Sequence, residues 1–147
     1  MNHKITIYDN SNLPNDQKEN AIIDFLHTYL DQYGDERKYI AKCINYALRR
    51  NNSPGGFIMT IEDGDLIKAA TVFNKTGMGG YIPENILVYI ATHSEHRGEG
   101  LGSTLMKNAI ENAEGDIALH VDEYNPAKRL YEKLGFTNPY LEMRLKR

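Results

Sequence analysis

The sequence predicts a mixed α/β fold, and three stretches of the chain carry this prediction. Ile5 and Ile7 alternate with polar neighbours, as in a half-buried strand. Residues 15–33 place apolar side chains at three- and four-residue steps, which is typical of an amphipathic helix. Residues 86–90 read Ile-Leu-Val-Tyr-Ile, a continuous apolar run that favours a central strand covered on both faces. Interleaving of such strands and helices defines the mixed class.

Length and composition favour one folded domain over residues 1–147. Hydrophobic residues make up 41% of the chain and charged residues 25%, as in globular proteins that build a core. A formal net charge of −3 gives no basic field, so we expect no nucleic-acid partner. Cys43, the single cysteine, has no partner for an internal disulfide. No apolar run reaches membrane-spanning length and the start lacks a leader pattern, so we expect no membrane partner and a cytoplasmic location.

The first half of the chain is predicted to form a strand, two helices and a hairpin. The strand covers residues 4–8, the first helix ends at Gly34, and the second helix spans residues 35–50. Strands at 57–62 and 66–73 flank Asp63, Gly64 and Asp65, which have the chemistry of a tight antiparallel turn. The glycine-rich segment 74–83 is predicted to be a loop.

In the second half, strands and helices alternate. The strand at 86–90 leads into a glycine-rich turn, and a helix follows from that turn to residue 113. A strand is predicted at 117–121, and Asn125 and Pro126 suit the N-cap and the first position of a last helix, which Gly135 ends. Residues 140–145 alternate polar and apolar side chains, so we expect a final strand there.

The turn at 97–102, Arg-Gly-Glu-Gly-Leu-Gly, has the chemistry of a diphosphate-binding site. It precedes a helix, whose first amides have no helical acceptor, and the helix dipole and Arg97 add positive potential. Glycines at 98, 100 and 102 leave room for a phosphate; alternatively they only permit a tight strand-to-helix turn. The lysine of a Walker loop and the spacing of the dinucleotide-binding fingerprint are both absent.

Two segments resemble the recurrent motifs of the GNAT acetyltransferase superfamily. Residues 97–102 follow a strand and match Q/R-x-x-G-x-G/A, and residues 125–136 match N-x-x-A-x-x-x-Y-x-x-x-G-F. The resemblance implies a mostly antiparallel sheet, splayed around a coenzyme cleft and flanked by about four helices, with acetyl-CoA as the cosubstrate. The residues it implies for coenzyme binding are Ile90, Ala91, Thr92, Arg97, Gly98, Glu99, Gly100, Leu101, Gly102, Ser103, Asn125 and Tyr131.

Acetyl transfer from a thioester to an amine needs an oxyanion donor, a proton for the leaving thiolate and a base for the amine. Backbone amides at Ile90 and Ala91 are candidates for the oxyanion donor. Tyr131 is the candidate acid, because a phenol with a pKa near 10 can protonate a thiolate with a pKa of about 8 to 9. The resemblance points to the same residue. Alternatively, Tyr131 is only a core residue of the last helix, and Asn125 only its N-cap.

The base is less well specified by the sequence. Many members of the resembled family carry a glutamate in the central strand, and residues 86–90 hold no carboxylate. His120, five residues before Asn125, is one candidate, and Glu84, Asp122 and Glu123 are the others; each could also be an ordinary surface side chain. His93 and His96 are three residues apart without further ligands in view, so we predict no metal.

The sequence thus predicts an N-acetyltransferase that acts by direct attack of a primary amine, on a small molecule or a peptide, as a monomer or homodimer. The alternative is a module that senses acyl-CoA and has lost turnover. In the resembled fold, the acceptor site is walled by the segments that correspond here to residues 29–39 and 75–84. Four carboxylates in these segments could attract a cationic amine: Asp31, Asp35, Glu36 and Glu84.

Overall fold

The structure is a computed structural model that describes residues 3–147. Within this range the chain forms five strands and four α-helices, as expected for the mixed class. In chain order they are β1 (Lys4–Tyr8), α1 (Asp16–Tyr29), α2 (Arg37–Ala47), β2 (Gly56–Asp63), β3 (Leu66–Lys75), β4 (Asn85–Thr92), α3 (Leu101–Asn112), β5 (Ile117–Leu119) and α4 (Ala127–Lys133). Among these residues no helix is both long and apolar enough to cross a membrane.

The five strands form one open sheet in the order β1-β2-β3-β4-β5. Neighbouring strands are antiparallel except β4 and β5, which are parallel. This arrangement confirms the predicted mostly antiparallel sheet. As predicted, β4 is an inner strand that is covered on both faces, since Tyr89 lies in the core on one face and Leu87 in the core on the other. Only its start is less covered than predicted, because Ile86 is 37% exposed.

Two apolar cores hold the helices against opposite faces of the sheet. One core packs α1 and α2 against residues such as Ile58, Val72 and Tyr89. The other packs α3 and α4 against residues such as Phe73 and Leu87. Burial of these side chains in one core holds α3 and α4 on the same face of the sheet, which positions both for the candidate site.

A bulge at Val88 redirects the side chains of β4. Val72 pairs with Tyr89 and Phe73 pairs with Leu87, so Val88 is left without an opposite residue on β3. Leu87 therefore belongs to the core under α3, while Tyr89 belongs to the core under α1 and α2. Without the bulge, two residues that are two apart in a strand would lie on the same face.

The pairing between β4 and β5 covers only the first part of β4. It ends at Leu87 opposite Leu119, whereas β4 continues to Thr92. Residues 88–92 consequently have no strand beside them on the β5 side in the described part of the chain. This splay leaves a row of β4 backbone groups along one edge open to a ligand.

The predicted final strand at 140–145 was wrong, because the chain is irregular there. The alternation is present, but Leu141, Met143 and Leu145 are 79–90% exposed and contact no core. An alternating segment becomes a strand only when another strand pairs with it and its apolar face is buried. The second helix is also shorter than predicted, and Asp35 and Glu36 lie in the loop before it.

Candidate active site

The turn before α3 has the backbone of an anion cradle. Gly98 and Gly100 have φ of 84° and 78°, in the left-handed region that favours glycine. Gly100 is the N-cap of α3, and Thr104 is the first residue whose N–H bonds back, to the Gly100 carbonyl at 3.0 Å. The amides of the first helical turn lack helical acceptors and are free for a ligand.

The surface around two of these glycines is open. A Cβ at Gly98 or Gly100 would meet no atom within 4 Å, so the surface is open where a phosphate would lie. Gly102 differs, since a Cβ there would lie 3.5 Å from Leu130 Cδ2 and 3.9 Å from Thr92 Oγ1. Gly102 thus brings the start of α3 close to both the end of β4 and α4, and the predicted coenzyme-binding segments meet at this point.

The Arg97 side chain bridges other parts of the site. Its Nε donates to the Thr92 carbonyl at 3.3 Å, and its Nη2 donates to the Tyr29 carbonyl at 3.1 Å and to Asp31 Oδ2 at 3.2 Å. The guanidinium therefore connects the turn before α3 to the end of α1. Its charge is partly balanced by Asp31 rather than wholly free for a phosphate, which the sequence pattern did not predict.

Two histidines precede the turn, and each contacts other groups of the protein. His93 Nδ1 accepts the Glu95 amide at 3.1 Å, so its Nε2 carries the proton in the neutral ring and donates to the Tyr29 hydroxyl at 2.9 Å. His96 Nδ1 lies 3.1 Å from Glu99 Oε2. Among the described residues, no group of three or more histidine, cysteine or acidic side chains is arranged to hold a metal ion.

Tyr131 lies on α4 with 6% of its surface exposed. Its ring packs edge-on against Phe136, with 5.8 Å between centroids, in the core under α3. Burial raises the pKa of Tyr131 to about 12, so the phenol carries its proton at neutral pH. No group among the described residues forms a hydrogen bond with its hydroxyl, which is not sealed from solvent and so can donate to a bound ligand.

Asn125 lies just before the last helix, whose N-cap is Pro126 rather than Asn125 as predicted. Its Oδ1 accepts the Ala127 amide at 2.9 Å, and its backbone carbonyl accepts the Lys128 amide at 3.1 Å. These bonds account for the asparagine and for Pro126 next to it at the start of α4. Contact between Asn125 and the coenzyme stays a prediction.

Two of the candidate bases, His120 and Glu84, differ in position and in contacts. His120 is the exposed residue that follows β5, at the level where β4 and β5 separate. Glu84 lies at the other end of β4, roughly 20 Å along the strand from Ile90 at about 3.3 Å per residue. The Asp116 amide donates to Glu84 Oε1 at 2.9 Å and lowers the pKa of Glu84. Both features argue against Glu84 as the base.

The structure also reveals a contact that the sequence analysis missed. Tyr89 of β4 donates its hydroxyl to Asp35 Oδ2 at 2.6 Å, although the two residues are 54 positions apart. In the sequence, Tyr89 counted only as part of an apolar run. Its polar end would have been noticed had the buried hydroxyl been treated as a group that needs a partner.

The model of the family described as Acetyltransferase (GNAT) family matches residues 16–136. No curated protein is significantly similar in sequence.

Solved structures share the fold along nearly the whole chain at low identity. The ribosomal-protein-alanine N-acetyltransferase of Brucella melitensis biovar Abortus 2308 is 14% identical with a TM-score of 0.68, and each chain is covered completely. The GNAT family protein SP0256 of Streptococcus pneumoniae TIGR4 is 16% identical with a TM-score of 0.70, over 99% of this chain and 98% of that one. PH1933 of Pyrococcus horikoshii OT3 is 23% identical with a TM-score of 0.69, over 95% and 93%.

Proposed function

Because the chain belongs to the GNAT acetyltransferase family, whose members use acetyl-CoA as cosubstrate, we propose that it acetylates a primary amine. The amine belongs to a small molecule or a peptide, and it attacks the thioester carbonyl directly. The activity resides in one domain formed by residues 1–147.

The observation that carries this proposal is the unpaired edge of β4 beside the α3 turn. Within the described range 3–147, residues 88–92 lack a strand on one side, and the free amides of the α3 turn follow within the next ten residues. In the proposal, the diphosphate binds at 98–103 and the pantetheine arm runs along β4. An amide of Ile90 or Ala91 then donates to the carbonyl oxygen and stabilises the oxyanion as it forms.

Tyr131 is the proposed acid for the departing thiolate. It is protonated at neutral pH, its hydroxyl bonds to no other protein group among the described residues, and α4 packs near the turn through Leu130 and Gly102. The raised pKa makes Tyr131 a weaker acid than a free phenol. The weaker acidity is offset if the thiolate forms beside Tyr131 in the same buried site. A hydrogen bond to a charged acceptor is stronger there than in water, and this favours donation of the phenol proton.

His120 is the proposed base, since β4 has no carboxylate. It lies where β5 ends and the cleft opens, and no described residue forms a hydrogen bond with its ring. A neutral imidazole there accepts the amine's proton directly or through a water molecule.

Thiol release from acetyl-CoA in the presence of an amine panel tests the proposal. The panel contains polyamines, aminoglycosides, amino acids and peptides with free N-termini, and product is verified by mass. Amine-dependent release and an acetylated amine are expected. Tight binding of acetyl-CoA, seen as a thermal shift, without release for any amine would instead support the sensor module. If the protein showed no binding of acetyl-CoA and no thiol release, that result would overturn the coenzyme site itself.

A further inference from the structure

His93 follows β4 directly and connects three parts of the fold. Its ring Nδ1 accepts the Glu95 amide at 3.1 Å, and this bond caps the short 3₁₀ helix Ser94–His96. Its Nε2 donates to the hydroxyl of Tyr29, the last residue of α1, at 2.9 Å. The side chain is half-buried, and both of its ring nitrogens are used. It therefore links α1 to the segment that leads from β4 into the turn at 97–102.

Tyr29 also holds the other end of this segment. Arg97, which begins the turn, donates to the Tyr29 carbonyl at 3.1 Å. The centroid of the Tyr29 ring lies 4.5 Å from that of His93 and 4.8 Å from that of Phe25 on the same helix. Residues 94–96 are thus held against α1 at both ends, through the hydroxyl and the carbonyl of one tyrosine.

The turn at 97–102 has few supports of its own at its start. Residues 97–100 are exposed, and a Cβ at Gly98 or Gly100 would meet no atom within 4 Å. Glycine loses more conformational freedom than any other residue when it is ordered. A ligand that needs the turn in one conformation must supply this ordering free energy, unless the protein already holds the turn. The contacts of His93 therefore affect how tightly a diphosphate can bind at this turn.

The bond from Glu95 to His93 requires the neutral form of the imidazole. A neutral ring accepts at one nitrogen and donates at the other, whereas the imidazolium ion donates at both. Protonation places an N–H on Nδ1, where it faces the N–H of Glu95, so the cap is lost. The bond to Tyr29 survives, because Nε2 keeps its proton. Protonation of His93 thus releases residues 94–96 while the ring stays against α1.

Ionisable groups from four parts of the chain surround His93. The His96 ring is edge-on to it, with 5.3 Å between centroids, and Asp24 of α1 and Asp65 of the β2–β3 hairpin line the same groove. From β3, the Lys68 carbonyl accepts the His93 backbone N–H at 2.8 Å. The ionisable groups are Asp24, Tyr29, Asp65, Glu95, His96 and Arg97. His96 is a second imidazole among them, so a variant of His96 is the control that an experiment on pH requires.

We propose that His93 is a positioning residue for coenzyme binding, which in its neutral form holds the turn at 97–102 through Glu95 and Tyr29. It does not itself contact the diphosphate. Since the bound turn needs the cap and the proton removes it, protons compete with the coenzyme. Affinity for acetyl-CoA is full when the ring is neutral, and it falls as the pH drops through the range in which histidine takes up a proton. This inference rests on the proposed function, in which the diphosphate binds at 98–103.

Calorimetric titration of acetyl-CoA into the wild type and His93→Asn at several pH values tests the proposal. Asparagine is a good N-cap and keeps an acceptor oxygen at every pH, but it takes up no proton. From about pH 7.5 to about pH 5.5, the Kd of the wild type should rise about fivefold more than that of His93→Asn, the factor expected for one net hydrogen bond. The 3′-phosphate of the coenzyme also takes up a proton at about pH 6, and this effect cancels because both proteins bind the same ligand.

Two further variants separate the roles of the neighbouring groups. His96→Asn removes the other imidazole and should keep the extra rise in Kd at low pH. Tyr29→Phe keeps the ring contact but loses the bond from Nε2, so it should raise the Kd at every pH and also keep the extra rise. Equal pH profiles for the wild type and His93→Asn would overturn the proposal, and so would a profile that only His96→Asn flattens.

Failure of the proposed function would be recognised separately. If the wild type binds no acetyl-CoA, hydrogen exchange at the Glu95 amide of the free protein still tests the role of His93. Protection of this amide, relative to the rate expected for an unfolded chain at the same pH, should be lower at about pH 5.5 than at about pH 7.5 in the wild type. In His93→Asn it should stay constant. Constant protection in both proteins would refute the dependence on a neutral imidazole.

Discussion

Replacement of Gly100 with alanine has two consequences that can be measured apart. The first is backbone strain, because the residue has φ of 78° and keeps that conformation as the N-cap of α3. The left-handed region costs a non-glycine residue about 1 to 2 kcal/mol. For a chain of this size the melting temperature should fall by about 2 to 8 °C. No clash adds to this, since the new Cβ meets no atom within 4 Å.

The second consequence appears only with the coenzyme. The added methyl group fills the open space in which the diphosphate is proposed to lie, and we expect acetyl-CoA to bind at least about tenfold more weakly. At a ligand concentration one hundred times the wild-type Kd, stabilisation by the ligand is about 2.7 kcal/mol. A tenfold rise in Kd reduces it to about 1.4 kcal/mol at the same concentration.

Gly64→Ala is the matched control. Gly64 has φ of 59° in the hairpin between β2 and β3, and a Cβ there also meets nothing within 4 Å. Thermal melts with and without acetyl-CoA should show a similar loss of stability for both variants. Only Gly100→Ala should lose part of the ligand-induced shift. A folded Gly100→Ala protein with the wild-type Kd would place the diphosphate elsewhere.

Four further predictions concern three other side chains of the site. Tyr131→Phe should lower kcat by about 10² to 10⁴ with unchanged acetyl-CoA affinity, and wild-type kcat with chemistry rate-limiting would exclude the hydroxyl as the acid. The pKa of Tyr131 is about 10 in the unfolded chain and about 12 in the folded protein. The protonated phenol therefore makes a contribution to the free energy of unfolding that is complete below pH 10 and is lost as the pH rises from 10 to 12. In denaturant melts between pH 10 and pH 12, the free energy of unfolding should therefore fall less for Tyr131→Phe than for the wild type. His120→Ala should depress the rate at neutral pH and recover part of it at higher pH, whereas an unchanged pH profile would make His120 a surface residue. Asp31→Asn should release Arg97 and tighten acetyl-CoA binding by less than tenfold at low salt, a gain that added salt removes; equal Kd values at low salt would show that Asp31 does not compete for this charge.

Local signals allowed much of the fold to be predicted. The helical periodicity around Ile22 and Leu26 and the turn chemistry at Gly64 depend on neighbours a few residues away, so the sequence displays them directly. The same holds for the coenzyme turn, because Gly98 and Gly100 adopt the positive φ that glycine permits. The alternation at 140–145 misled, since it depends on a distant partner strand that the structure does not provide.

By itself, then, the sequence determined most of the helices and strands, the glycine backbone of the turn before α3, and the presence of Tyr131 on the last helix. Tertiary structure alone decided the partners of the charged groups. The bond of Arg97 to Asp31 and that of Asp35 to Tyr89 join residues 66 and 54 positions apart. The bulge at Val88 likewise assigns Leu87 and Tyr89 to opposite faces. These contacts arise when packing brings separate elements together, and local periodicity contains no information about which charges will then be neighbours.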